Sequence, residues 1–158
     1  KFRLPTEAEW EFSCRAGTLA RFHSGIDLLH AQANFRIDFT HGNEQKDSHP
    51  GQTSKSGSYP PNAWGIFDMH GNLREWCSDF FGEYPTGAVR DPQGPAKGEF
   101  RVLRGGAWCD RFRDCRSAVR YWMSPSARSN SQGFRLALQA IPVRKAPVRK
   151  RGGAANTR

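Results

Sequence analysis

The clearest helix signature in this chain is spent by residue 17, so most of the fold must come from turns and short strands. Leu4-Pro5-Thr6-Glu7-Ala8-Glu9 offers Thr6 as an N-cap with Glu9 three residues on, the pairing of a capping box. Glu7 and Glu9 in the first turn suit the positive end of the helix dipole. Ala8, Phe12 and Ala16 then repeat at i, i+4 and i+8, Trp10 and Cys14 form an adjoining stripe, and Gly17 ends the run as a C-terminal cap. These spacings predict one helix over residues 6–16. Beyond it, sixteen Gly and ten Pro predict many turns and little regular structure.

Downstream of Gly17 the pattern dissolves until residue 61. Thr40 to Gly51 is polar and turn-rich and reads as a long surface loop, and Tyr59-Pro60-Pro61-Asn62 favours extended and turn backbone. Periodicity returns weakly at Trp64, Ile66, Phe67 and Met69, then at Leu73, Trp76, Phe80 and Phe81. Residues 100–104 and 134–138 alternate in the manner of strands, each beside glycine. Between them, 107–132 is rich in Arg, aromatic and Ser residues. The aromatic residues, five Trp, eleven Phe and three Tyr, supply large burial areas for one globular domain in 158 residues.

Charge divides the chain unevenly. Six of the nine net positive charges lie in residues 139–158, which hold no acid, so the preceding body carries only +3. That balance argues against a dedicated nucleic-acid binder. The tail, with its repeated Pro-Val-Arg-Lys, is too poor in apolar groups to offset its chain entropy and reads as disordered, a solvated segment or a contact for an anionic partner. The expected division is therefore a domain over 1–138 and a basic tail over 139–158. No run of 18 apolar residues is present, and the N-terminus has no basic segment leading into an apolar run. The chain begins on Lys1-Phe2-Arg3, as the later part of a longer protein would.

Several chemistries find no motif: there is no phosphate loop, dinucleotide fingerprint, C-x-x-C pair or H-E-x-x-H, and the five His are scattered. Asp68 to Trp76 says more. Asp68 and Glu75 bracket a Gly-Asn turn whose carbonyls can point inward, an oxygen set of the kind calcium prefers; the alternative is a polar turn with Glu75 bonded to neighbouring amides. Four Cys (14, 77, 109 and 115) allow three connectivities if all are bridged. Cys109, in Trp108-Cys109-Asp110-Arg111-Phe112-Arg113, is either a thiol made reactive by neighbouring Arg or a small, partly buried residue.

Taken together, these segments resemble a known family. Arg3-Leu4-Pro5-Thr6-Glu7-Ala8-Glu9-Trp10-Glu11 is one signature. Pro61-Asn62-Ala63-Trp64-Gly65, Asp68-Met69-His70-Gly71-Asn72 and Glu75-Trp76 form another. Arg101 to Trp108, Arg116-Ser117-Ala118 and Gly133-Phe134-Arg135 complete it. The chain resembles the C-terminal part of the formylglycine-generating enzyme, or sulfatase-modifying factor, family. That resemblance implies an irregular, loop-rich α+β fold related to C-type lectins. It also implies a calcium site on Asp68, the Gly71 and Leu73 carbonyls and Glu75. Enzymes of the family oxidise a sulfatase Cys with oxygen and copper(I) held by two Cys of one segment.

The sequence departs from those enzymes where copper would bind. Ala107 replaces the Ser of Gly-Gly-Ser, Cys109 lies one place early, and the segment up to Gly-Phe-Arg is short. Cys115 matches a structural role facing Cys14, which makes Cys14 and Cys115 an expected close or bridged pair and leaves copper disfavoured. Three readings stay open. One is a binding module for a protein or small ligand at the 107–132 surface, through Trp108, Arg111, Phe112, Arg113, Tyr121 and Trp122. Another is an oxidase using Cys109, and the last is a retroelement-diversified variable protein.

Overall fold

The computed structural model of the protein describes residues 1–36 and 51–139. The basic tail from residue 140 and the polar stretch 40–50 lie outside them. The described chain is a loop-rich α+β fold. Strand β1 (Phe2–Arg3) leads into helix α1 (Glu7–Arg15). Then come β2 (Arg74–Phe80), β3 (Arg101–Arg104), a 3-10 turn over Phe112–Cys115, β4 (Arg120–Met123), β5 (Gln132–Gly133) and β6 (Ala137–Leu138). No helix among the described residues is long and apolar enough to cross a membrane.

Helix α1 starts as its capping sequence requires. The Thr6 hydroxyl accepts from Glu9 N–H at 3.1 Å, and the Glu9 carboxylate accepts from Thr6 N–H at 2.8 Å. Arg3 clamps the same carboxylate through two bonds of 2.6 Å, and this pairing with the cap bonds holds Glu9 down to about 2. The helix ends one residue early, with Ala16 left-handed at φ 46° ahead of Gly17 at 89°. Its buried face is also not the expected one. Glu7, Trp10 and Cys14 point inward, while Phe12 is 68% exposed and meets Trp64 in a tilted pair with ring centroids 4.8 Å apart. The indole of Trp10 carries the larger apolar area, so it turns the helix.

Four strands form the main sheet in the order β4-β3-β2-β5, with β5 parallel to β2 and the other pairs antiparallel; β1 and β6 form a separate two-stranded sheet. β2 and β4 carry no clear strand signal, and the reason for β2 is legible in its burial. Glu75, Cys77 and Asp79 face inward while Trp76 and Phe80 are only half-buried, so the alternation is polar inside and aromatic outside. The expected strand at 134–138 forms only at its end: Ala137–Leu138 joins the small sheet, Phe134 and Leu136 are exposed before it, and the preceding Gln132–Gly133 joins the main sheet.

Two apolar clusters fill the interior. Trp10, Cys14, Met69, Cys77 and Val102 form one; Phe22, Leu28, Ala33, Phe35 and Cys115 form the other. The Gly105-Gly106 pair runs between them at φ 95° and 75°. A Cβ on Gly106 would stand 2.6 Å from Cys115 Sγ, so only glycine lets the chain pass. Arg104, fully buried, donates to Glu7 at 2.6 Å and to Glu11 and the Ser117 carbonyl, under a Trp10 ring 5.4 Å away. Arg120 adds two bonds to Glu7, of 2.6 and 2.7 Å. Glu7 therefore anchors the helix to two strands.

Candidate functional site

After Gly106 the chain makes a tight turn over Ala107–Asp110. Asp110 N–H donates to the Ala107 carbonyl, and the Asp110 carboxylate accepts from Ala107 N–H, both at 2.9 Å. The other oxygen of that carboxylate pairs with Arg74, projected from the start of β2, and the Arg74 guanidinium lies 4.6 Å over the Tyr121 ring. Tyr121 donates its hydroxyl to the Asp114 carbonyl at 3.2 Å. Burial and the charges of Asp110 and Asp114 push this phenol above its ordinary value. Trp108 closes the edge, its indole N–H on the Asn130 carbonyl at 3.3 Å and its backbone N–H on the Asn72 carbonyl at 3.0 Å.

This geometry gathers only part of the expected aromatic and Arg cluster. Trp108 and Tyr121 share the surface, joined by Arg74 and Asp110, whose pairing no sequence motif marks. Arg111 and Arg113 are exposed beside them, with Arg113 5.6 Å over Phe112. Phe112 itself turns inward against the Phe22–Cys115 cluster. Trp122 leaves the group altogether. Alternation along β4 places it with Arg120 on the other face, where its ring meets Phe81 at 4.6 Å. Recognising β4 as a strand is the signal that separates Tyr121 from Trp122.

The four cysteines are free thiols. Cys109 is half-buried in the turn, within electrostatic reach of Arg74. Cys115 has no exposed surface, and burial with Asp110 and Asp114 nearby drives its thiol well above the ordinary value. Cys14, likewise fully buried, is pushed up to about 12 by burial. Cys14 and Cys115 sit in different clusters, unbonded, with His70 between them. One His70 nitrogen donates to the Cys115 carbonyl at 2.8 Å, the other accepts from His23 N–H at 3.1 Å, and the ring lies 3.8 Å from Cys14 Sγ.

At the expected calcium turn, Asp68 and Glu75 stand in unlike surroundings. The Glu75 carboxylate, buried, accepts from Trp10 Nε1 at 2.6 Å and from Arg135 at 2.5 and 2.7 Å. Arg135 also donates to the carbonyls of Phe67 and Asp68, at 3.1 and 3.3 Å. One Asp68 oxygen accepts from Gly57 N–H at 2.7 Å and from the Ser56 hydroxyl at 3.1 Å, while Oδ1 is buried without a partner. Glu75 thus already has a cation, and Asp68 Oδ1 is the oxygen left over. No group of three or more His, Cys, Asp or Glu placed to hold a metal occurs among the described residues.

The comparisons with known proteins agree with this architecture. The family model for the sulfatase-modifying factor enzyme 1-like domain matches residues 1–140. The serine/threonine-protein kinase pkn1 of Chlamydia pneumoniae is 41% identical over 140 residues, covering 85% of this chain and 20% of that protein. The formylglycine-generating enzyme of Streptomyces coelicolor is 38% identical over 151 residues, covering 87% of this chain and 47% of the enzyme. The solved structure of Treponema denticola variable protein 1 superposes with a TM-score of 0.72 at 36% identity, over 85% of this chain and 46% of that one. The chain therefore spans between a fifth and about half the length of these relatives. With its motifs in family order and its fold matched over nearly all described residues, this chain belongs to the sulfatase-modifying factor enzyme 1-like family.

Proposed function

We propose that this domain binds a protein or small ligand at the surface built on the 107–116 turn and β4, and that it does not make formylglycine. The burial of Cys115 carries the reading. Copper(I) held by two thiolates needs both sulfurs at one open surface, and a thiol with no exposed area, raised far above neutrality, cannot be the second ligand beside half-buried Cys109. What remains at that surface is an aromatic and Arg platform of Trp108, Tyr121, Arg74, Arg111 and Arg113, residue types enriched at binding hot spots. The similarity to a variable protein supports a binding role.

Calcium belongs to the same proposal as a structural ion. The orphaned Asp68 Oδ1 would receive it, with the Gly71 and Leu73 carbonyls and the outer side of Glu75 completing the oxygen set. Because Arg135 already offsets the Glu75 charge, the ion meets less negative charge than two free carboxylates supply and binds weakly. Its contribution is to fix the turn that carries Arg74. The decisive assay for the catalytic half incubates the protein with a sulfatase-motif peptide, copper(I) and oxygen, followed by mass spectrometry. The peptide Cys is expected to stay unmodified; conversion to the aldehyde overturns the proposal.

A further inference from the structure

A cavity of about 640 Å³ lies beside the first turn of α1, walled by the Gly- and Pro-rich segment 82–95 and sharing no lining residue with the 107–116 turn. This volume is in the range of small-molecule sites. Its chemistry is one-sided. Glu7, Glu11, Asp79 and Glu83 line it, against a single cation, Arg120. Two of the four acids are satisfied from within: Glu7 by Arg104 and Arg120, and Glu11 by Arg104 and Arg15. Arg120 is engaged as well, with two bonds to Glu7 and one to the Gly82 carbonyl at 2.9 Å, so its charge is already offset by the Glu7 carboxylate.

Asp79 and Glu83 are left. Asp79 is 3% exposed; its Oδ2 accepts from Glu7 N–H at 2.8 Å and from the Ser78 hydroxyl at 3.3 Å, and Oδ1 takes no hydrogen bond among the described residues. No ion pair among the described residues reaches Asp79 or Glu83. A carboxylate this buried without a counter-ion is costly, and burial raises Asp79 above the ordinary carboxylate value. Gly94 keeps Oδ1 open. At φ 69° it crosses so close that a Cβ would stand 2.9 Å from Asp79 Cβ and 3.2 Å from Oδ1, which would cover the carboxylate. Pro85, Val89, Pro92 and Pro95 line the same cavity, and the three prolines supply stiff apolar walls that lose little entropy on binding.

We propose that this cavity binds an organic cation, an ammonium or guanidinium-type group on an apolar body, with the charge on Asp79 Oδ1 and Glu83 and the body against the proline walls. The same chemistry is offered by a free amine or amidine and by a basic side chain of a peptide. Titration of the full chain with benzamidine, followed by NMR, tests it, with uncharged benzamide as the control and a doubly capped Pro-Arg-Pro peptide as the second arm. Benzamidine is expected to shift resonances of residues 79–95, benzamide to leave them unmoved, and Asp79→Asn to weaken binding at least tenfold. Glu83 is exposed, so Glu83→Gln keeps the fold and should weaken binding several-fold even if the Asp79 variant is unstable. Stronger binding by the peptide assigns the site to a partner's basic side chain; stronger binding by benzamidine assigns it to a free organic cation. Equal binding of benzamide, failure of both cations to bind, or an unchanged affinity in both variants overturns the proposal.

Discussion

His70 is held in one tautomer by its partners. A carbonyl can only accept and a backbone N–H can only donate, so the nitrogen facing Cys115 carries the proton and the one facing His23 N–H does not. The ring is 2% exposed, stacked on His23 at 4.8 Å and edge-on to Phe22 at 5.3 Å, with Cys14 and the charge of Arg15 nearby. Burial is the main force lowering its pKa to about 4, partly offset by the Cys115 bond. The unfolded chain takes up this proton near pH 6.5 and the folded chain refuses it until about 4, so stability falls as pH drops through that window. The loss is on the order of 3 kcal/mol at its fullest. Urea midpoints measured at intervals from pH 7.5 to 4.5 should show the decline, and His70→Asn should flatten it; an equal slope in that variant would contradict the assignment. At Asp68, about 10 mM calcium should raise the melting temperature by a few degrees, as a weak ion bound only by the folded state does, and Asp68→Asn should abolish the rise. No shift in the parent protein would remove the ion from the account.

At the scale of elements, charge joins Trp10 and Cys14 in tying the helix to the sheet. Arg104 of β3 and Arg120 of β4 converge on Glu7, and Glu11 shares Arg104. Replacing Arg104 by Met leaves Glu7 buried with half its cations and should cost about 3–5 kcal/mol by chemical denaturation. A loss below about 1 kcal/mol would mean that the network is incidental. This polar interior also explains which elements were legible in the sequence. The capping box of Thr6 and Glu9 is local chemistry and predicts α1 directly. β2 hides because its inner positions are Glu75, Cys77 and Asp79, whose burial depends on Trp10, Arg135 and the Glu7 amide, partners 60 or more residues distant in sequence. The same cause misdirected the helix face: Ala8-Phe12-Ala16 is the better apolar repeat, but Glu7 and Trp10 have the partners inside.

Across the whole molecule, the family motifs fall on residues that hold the two clusters together. Glu7, Trp10, Glu75, Arg104 and Arg135 are joined by hydrogen bonds or ring contact, which makes motifs scattered along the sequence contiguous in space. The candidate site was less legible. Cys109 and Trp108 were readable from their segment, but Arg74 and Asp110 become its centre only when β2 and the 107–110 turn meet. The burial of Cys115 likewise depends on Gly106 passing at its sulfur. The central claim is that no thiol pair is available at the surface, and copper(I) titration of the reduced protein against a competing chelator tests it most directly. The account predicts that the chelator keeps the metal, with at most loose binding at Cys109. A tight site of one copper per chain, lost on replacing either Cys109 or Cys115, would contradict it.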